Sequence, residues 1–204
     1  MEKQSLRDMK KEATRQALAN AAFELALERG LDGVVIEDVV HRAGFSRRTF
    51  ANYFSCKEEA VAAAAISYSN NDEFENLLAN MDESITPLEI LYRLMRMQLT
   101  EELFRKMRVL VSISKRYPTL EPFLLSIIHQ FQAEGKEILV NIVQGRYPEQ
   151  YTHLLVGAVY GAMLPLLDGS LNVRFPGQVT DETDEAMTFD QYLELTFNCL
   201  RNGF

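Results

Sequence analysis

The residues of this sequence best suited to chemistry lie in a short stretch rich in hydrogen-bond donors. Phe50 and Phe54 stand four positions apart, the spacing of one helix face, so they would anchor a helix by its apolar side. The rest of that helix surface would carry donor side chains: Arg47, Arg48, Thr49, Asn52 and Tyr53. An arginine so placed can donate two hydrogen bonds to guanine O6 and N7, and hydroxyl or amide groups can bind phosphate. The stretch therefore fits contact with double-stranded DNA, although two adjacent arginines without such a context are usually a solvated helix start.

Two short helices around a glycine-containing turn would position these donors. The first is expected over about 36–43 and ends at Gly44, and the second begins after Ser46. The Ser46 hydroxyl can accept a hydrogen bond from the free amide of Arg48 or Thr49. This arrangement is the helix-turn-helix, in which the N-terminal part of the second helix enters the major groove.

A long helix precedes this motif. The sequence predicts that it begins near Ser5, with Asp8 as the capping-box partner, and that it stops at Gly30. Its buried stripe has helical spacing: Leu18, Ala21, Ala22, Leu25 and Ala26.

The remainder of the chain also has helical periodicity, which predicts an all-α fold of about nine helices. A capping box at Ser55–Glu58 would open a helix that continues to about Ala79, and Thr86 followed by Pro87 and Glu89 is another helix start. Further helices are expected over 87–99, 101–115, 120–144, 148–167 and 184–202, with a loop over 168–183.

Charge is distributed unevenly along the 204 residues. The net charge is -8, but residues 1–58 hold ten Lys and Arg against nine Asp and Glu, so the acidity lies in the rest of the chain. A near-neutral N-terminal part can still bind DNA if its basic residues share a face. No apolar run is long enough for a membrane span and no signal peptide is recognised, so we expect a cytoplasmic protein without a membrane partner.

The N-terminal part, about Arg15 to Val61, resembles the DNA-binding domain of the TetR family of transcriptional regulators. The resemblance rests on the runs Ala21–Leu25, Glu28–Gly30 and Glu37–Glu58. It implies a three-helix DNA-binding domain followed by a larger helical ligand-binding and dimerisation domain. The expected domain ranges are 1–57 and 58–204.

The resemblance also implies roles for single residues. Arg47 and Arg48 fall where the family presents groove-facing side chains, and Asn52 is a plausible contact. Positions expected to contact the DNA backbone are Thr49, Tyr53 and Lys57, with further phosphate or minor-groove contacts at Lys10, Lys11 and Arg15. The sequence departs from the family where threonines commonly cap the second helix, because Val34 and Val35 stand there.

Aromatic and methionine side chains of the second domain form first of all a core, and they line an effector pocket if the helices leave a cavity. The candidates are Tyr68, Tyr92, Met95, Phe104, Met107, Phe123, Phe131, Tyr160 and Met163. The acidity of this domain favours a small apolar or amphipathic effector over an anion.

The last two helices make the dimer interface in the resembled family, so a homodimer is expected. Small residues on one of these helices permit close helix approach, and the last helix offers an apolar stripe. The candidate interface residues are Gly157, Gly161, Phe189, Leu193, Phe197 and Leu200.

Other classes of function are weaker interpretations. No nucleophile with a base, paired carboxylates or phosphate loop is recognised, so we expect neither an enzyme nor a cofactor. His129 and His153 lack ligand spacing, which argues against a metal site. Cys56 and Cys199 are expected to be reduced, and Cys56 is more simply a surface cysteine than a redox sensor. A helical adaptor that binds protein and keeps a vestigial DNA-binding domain stays an alternative.

Overall fold

The computed structural model of the chain describes residues 6–66, 85–174 and 186–203. These residues form nine α-helices, so the predicted all-α fold is confirmed. The helices are α1 (Leu6–Arg29), α2 (Ile36–Ala43), α3 (Arg47–Ala51), α4 (Lys57–Ala63), α5 (Pro87–Gln98), α6 (Glu101–Arg116), α7 (Glu121–Val143), α8 (Glu149–Leu167) and α9 (Phe189–Asn202). Short 3-10 turns lie at Leu31–Gly33 and Pro118–Leu120.

Backbone contacts divide the chain into two compact units. The first unit comprises residues 1–67 and 109–127, and the second comprises 68–108 and 128–204. The first unit thus includes α1–α4 together with residues 109–127, which sequence analysis did not assign to the N-terminal part. The predicted domain boundary after residue 57 stays a prediction.

The core of the first unit is built on α1, which packs against α2 and α4. The predicted stripe is confirmed, since Leu18, Ala21, Ala22, Leu25 and Ala26 are all buried. Small side chains dominate this face, and they let the Ala-rich α4 approach α1 closely. The helix ends at Arg29, and Gly30 takes a φ of 72°, a left-handed conformation that glycine adopts without the strain other residues suffer.

The second unit has a core of aliphatic and aromatic side chains from all of its described helices. Two aromatic pairs join distant parts of this unit: Tyr92 and Phe197 have ring centroids 5.0 Å apart, and Phe104 and Phe189 are 5.4 Å apart. Edge-on and tilted ring pairs of this kind add stability beyond the apolar area they bury.

Helix starts agree with the predicted caps at two places. The Thr86 hydroxyl accepts from the Glu89 amide at 3.2 Å, with Pro87 in the first turn, and the Ser46 hydroxyl accepts from the Thr49 amide at 3.0 Å. The predicted start at Ser5 lies outside the described residues.

Two predicted starts are corrected. At α4 the cap is Cys56 instead of Ser55, and Glu59 instead of Glu58 reaches back, so the capping pattern is displaced by one residue. At α9 the helix begins at Phe189 behind a capping box made by Thr188 and Gln191, not near Asp184. Just before this helix, Thr188 forms an isolated parallel β-bridge with Arg174.

A helix was predicted from Ser55 to about Ala79, but within residues 55–66 the structure shows a shorter one. α4 ends at Ala63, and residues 64–66 make turn-like backbone hydrogen bonds. Residues 67–79 lie outside the described residues.

No helix within 6–66, 85–174 and 186–203 is long and apolar enough to cross a membrane.

Candidate nucleic-acid interface and second-unit cavity

The helix-turn-helix is fixed by a tight turn and an aromatic anchor. Gly44 ends α2 with a φ of 74°, and Ser46 then caps α3. Phe50 and Phe54 are 2% and 3% exposed, and their ring centroids lie 5.5 Å apart. Because α3 has only five residues, its own propensity cannot hold it, and the buried rings must do so.

The side chains predicted to meet DNA lie on the outer side of α3 and just beyond it. Arg47, Arg48 and Asn52 are exposed, whereas Thr49 and Tyr53 are half-buried. The Thr49 hydroxyl lies 2.8 Å from the Ser46 hydroxyl, so it takes part in the cap of its own helix. The structure therefore brings the five predicted donors together, and the exposed ones are free to be approached by a large partner.

The two adjacent arginines differ in what they contact. Arg47 donates through Nη1 to Glu37 Oε1 at 2.7 Å, with both side chains largely exposed. The Arg48 guanidinium makes no hydrogen bond or ion pair with any residue in the described part of the chain. Arg48 can thus bind DNA without breaking a contact within the described residues. Arg47 would have to leave the Glu37 carboxylate, or keep that contact while it also binds DNA.

Other arginines of the first unit are engaged in ion pairs between α1 and α2. Arg42 donates two hydrogen bonds to Glu28, at 2.7 and 2.8 Å, and Arg29 donates to Asp38 at 2.6 Å. The hydrogen bond from Arg42 lowers the pKa of the Glu28 carboxyl below its ordinary value. These pairs match acids of α1 and α2 to arginines that do not lie on α3.

Lys57 has a role that its sequence position did not indicate. Its ammonium donates to the backbone oxygens of Leu31 at 2.8 Å and Val34 at 3.3 Å. It therefore binds the carbonyl that begins the 3-10 turn and the carbonyl that follows it, just before α2. The same connection lacks a side-chain cap at Val35, as the departure from the family pattern predicts. A phosphate contact by Lys57 stays a prediction.

The predicted contacts on α1 fall into two kinds. Lys10 and Lys11 are exposed. Arg15 is half-buried, with its guanidinium 5.6 Å from the centre of the Phe54 ring and 3.6 Å from Glu12. Arg15 thus contributes to the packing of the aromatic anchor, and only the lysines are presented to solvent.

Cys56 serves as the cap of α4. Its Sγ accepts from the Glu59 amide at 3.5 Å, while the Glu59 carboxylate accepts from the amide and hydroxyl of Ser55 at 2.7 Å each. A thiol is a weak acceptor, so sequence rules favour serine as the cap and miss this arrangement.

In the described residues no group of three or more His, Cys, Asp or Glu could hold a metal ion.

The second unit contains a small cavity of about 20 Å³. Four predicted pocket residues line it: Met95, Phe131, Tyr160 and Met163. The sequence did not single out six others: Gln98, Leu99, Leu103, Ile128, Leu164 and Leu167. Aliphatic residues at helical spacing carry no signal that distinguishes a cavity wall from the solid core.

The other candidates for the pocket lie elsewhere. Tyr92 donates to Glu194 at 2.7 Å and packs on Phe197, and Phe104 packs on Phe189. Met107 is buried without reaching the cavity wall, Phe123 belongs to the first unit, and Tyr68 lies outside the described residues.

One polar pair stands in the cavity wall. The Tyr160 hydroxyl donates to Gln98 Oε1 at 3.1 Å. Gly135 makes room for this hydroxyl, because a Cβ at that position would collide with it. Burial raises the pKa of Tyr160 well above its ordinary range.

The predicted dimer residues separate into buried and open ones. Phe189, Leu193 and Phe197 are buried within the second unit, and their assignment to a dimer interface stays a prediction. Leu200 is half-buried. A Cβ at Gly157 or Gly161 would meet no atom of the described residues within 4 Å, so none of those residues covers that side of α8.

The open side of α8 also carries large apolar side chains. Leu154 is 75% exposed and Leu164 is 38% exposed. Together with Gly157 and Gly161 they follow the spacing of one helix face. We call these four residues the α8 face.

Comparison with known proteins matches the N-terminal part of the chain. Residues 18–64 match the family described as bacterial regulatory proteins, tetR family. A curated relative, the uncharacterized HTH-type transcriptional regulator YvdT of Bacillus subtilis (strain 168), is 33% identical over 78 residues. The aligned part is 37% of this chain and 40% of that relative, so the similarity spans well under half of either protein.

Proposed function

We propose that this chain, a member of the tetR family of bacterial regulatory proteins through its N-terminal domain, is a DNA-binding transcriptional repressor that a small effector releases from its operator. The observation that carries the proposal is the exposed Arg48, which has no partner among the described residues, at the start of a helix anchored by Phe50 and Phe54. An arginine in that position of a helix-turn-helix reaches base edges in the major groove.

The proposed operator is pseudo-palindromic, because a homodimer with two-fold symmetry presents two copies of α3. Recognition helices that read successive major grooves have centres about 34–36 Å apart or somewhat wider. Asn52 and Tyr53 would add contacts beside the arginines, and Lys10 and Lys11 would add cations that bind phosphate without reading sequence.

The proposed effector is apolar or amphipathic and binds in the cavity of the second unit. Eight of the ten residues in the cavity wall are apolar, which supports this class of molecule. Release follows if the effector binds more tightly to a form of the dimer that fits the operator poorly. The loss of DNA affinity then equals the ratio of the effector's affinities for the two forms.

Selection of bound fragments from genomic DNA with the purified chain tests DNA recognition. We expect a pseudo-palindromic site to be enriched, and affinity for it to fall steeply with salt. A protein that neutralises six to ten phosphates loses about 10³- to 10⁵-fold in affinity between 50 and 200 mM salt. Weak binding that salt hardly changes, with no enriched site, would contradict the proposal and favour a protein-binding adaptor.

The α8 face supports the proposed homodimer, and Leu154→Glu tests it. We expect dimer dissociation to become about a hundredfold easier, because the new carboxylate would be buried without a partner. Sedimentation equilibrium measures the change. Leu125→Glu on α7, where the leucine is 59% exposed, is the matched control and should leave assembly unchanged. A dimer that tolerates Leu154→Glu has its interface elsewhere.

A further inference from the structure

We propose that Lys57 acts in DNA recognition as a positioning residue: its ammonium holds the backbone between α1 and α2, and through α2 it holds α3 in place. The inference rests on the proposed function and adds to it, because the resemblance to the family implies only a phosphate contact at this position. It is carried by two hydrogen bonds from Lys57 to carbonyl oxygens, the missing cap of α2 and the ion pair between α2 and α3.

The ammonium of Lys57 is already engaged within the first unit. It donates to the oxygens of Leu31 and Val34, at 2.8 and 3.3 Å, and the lysine itself is half-buried. An ammonium has three N–H donors, so these two bonds leave at most one for a phosphate. Hydrogen bonds from a charged donor are about twice as strong as neutral ones, and partial burial limits competition from water. The two bonds therefore restrain the connection between α1 and α2.

The segment that Lys57 holds is the one that most needs support. Val35 stands at the N-cap of α2 and makes no side-chain cap bond, and α2 has only eight residues. An apolar residue at the N-cap costs a helix stability, and so short a helix does not persist by its own propensity. Val34 immediately precedes this uncapped start. Lys57 thus restrains the chain at the place where the usual cap is missing.

Ion pairs also join α1 to α2, but they are open to solvent. Arg29 donates to Asp38 at 2.6 Å, and Arg42 donates to Glu28 at 2.7 and 2.8 Å, with the carboxylate side chains 47% and 50% exposed. Exposed ion pairs contribute little to stability, and salt screens them further. The bonds from Lys57 are partly buried, so they keep holding the start of α2 when salt weakens the ion pairs.

The start of α2 is linked to the start of α3. Glu37 lies three residues after Val34 and accepts from Arg47, the first residue of α3, at 2.7 Å. The two helices also contact each other, so a shift of α2 would move α3. Hydrogen bonds to base edges tolerate displacements of only about 0.5 Å. Holding the start of α2 therefore sets the position of the side chains proposed to read DNA.

Hydrogen exchange of the full chain tests this role without DNA. Lys57→Met removes the ammonium and keeps a side chain of similar shape. We expect the amides of α2 and α3 to exchange about ten- to a hundredfold faster, because bonds from a charged donor are lost. Lys115→Met, a like change of an exposed lysine in the first unit, is the matched control and should leave these rates unchanged. Unchanged rates in Lys57→Met overturn the inference.

A second variant shows whether the start of α2 is the place where Lys57 acts. Val35→Thr supplies the missing cap hydroxyl. In the double variant with Lys57→Met, we expect most of the lost protection of the α2 amides to return, because both changes act on the same helix start. The cap also keeps the fold measurable if Lys57→Met alone is too unstable. A double variant that exchanges as fast as Lys57→Met overturns the inference.

Operator binding separates positioning from a phosphate contact. Loss of a phosphate contact would weaken binding to the operator and to a scrambled duplex alike. It would also reduce the slope of log affinity against log salt by about 0.9 per contact, hence by about 1.8 in a homodimer. For Lys57→Met we expect an unchanged slope and a loss of about fivefold or more that falls mainly on the operator. A reduced slope with equal losses for both duplexes overturns the inference.

The two kinds of failure are distinguishable. If the wild type selects no operator, the proposed function fails, whereas the exchange rates still report whether Lys57 holds α2. If an operator is selected and Lys57→Met changes neither the exchange rates nor the preference for it, the proposed function stands and the positioning role of Lys57 fails.

Discussion

Arg48→Ala is expected to weaken binding to the selected operator by about ten- to a hundredfold, which corresponds to the roughly 1–3 kcal/mol that a good bidentate arginine–guanine contact contributes. The Arg48 guanidinium has no protein partner within the described ranges, so its loss removes a DNA contact without breaking an ion pair. Affinity is measured for the operator and for a scrambled duplex at one salt concentration. The affinity for the operator should fall more than the affinity for the scrambled duplex, so the ratio of the first to the second should also fall.

The matched control is the neighbouring arginine. Arg47→Ala should have a smaller effect, because Arg47 donates to Glu37 at 2.7 Å and recovers less free energy when it turns to DNA. Glu37→Gln, which weakens that ion pair, should raise affinity for the scrambled duplex more than for the operator. If Arg47→Ala costs as much as Arg48→Ala or more, the pair with Glu37 opens freely and Arg47 is a main reader of sequence.

Local features of the fold could be predicted from the sequence because their causes are local. The stripe of α1, the turn at Gly44 and the caps at Ser46 and Thr86 each depend on residues within one or two helical turns. The start of α4 was displaced by one residue because the cap is the thiol of Cys56, a weak acceptor that sequence rules rank poorly.

Features that depend on distant residues could not be predicted in the same way. The bond from Lys57 to the carbonyl of Leu31 spans 26 residues, and the one between Tyr160 and Gln98 spans 62. Periodicity identifies which side of a helix is apolar but not what it packs against. For that reason the sequence did not indicate that Phe189 and Phe197 are buried within their own unit.

The stability of α3 depends on the burial of its aromatic anchor. Phe50→Ala is expected to destabilise the first unit by about 3–5 kcal/mol, because the ring is 2% exposed and its loss leaves a cavity beside Phe54. Operator binding should be lost with it, since a five-residue helix does not persist without its anchor. Urea unfolding followed by circular dichroism measures the first effect, and hydrogen exchange of the α3 amides locates it.

Phe45→Ala is the control for this prediction. Phe45 lies between α2 and α3 and is 36% exposed, so removing its ring opens no enclosed cavity and should cost about 1 kcal/mol or less. If both variants lose stability equally, the turn itself holds α3 in place. If Phe50→Ala keeps its stability and loses only operator binding, the ring orients α3 without contributing to the core. Either result would contradict the anchoring role, in which burial of the Phe50 ring holds α3 and its exposed arginines in place.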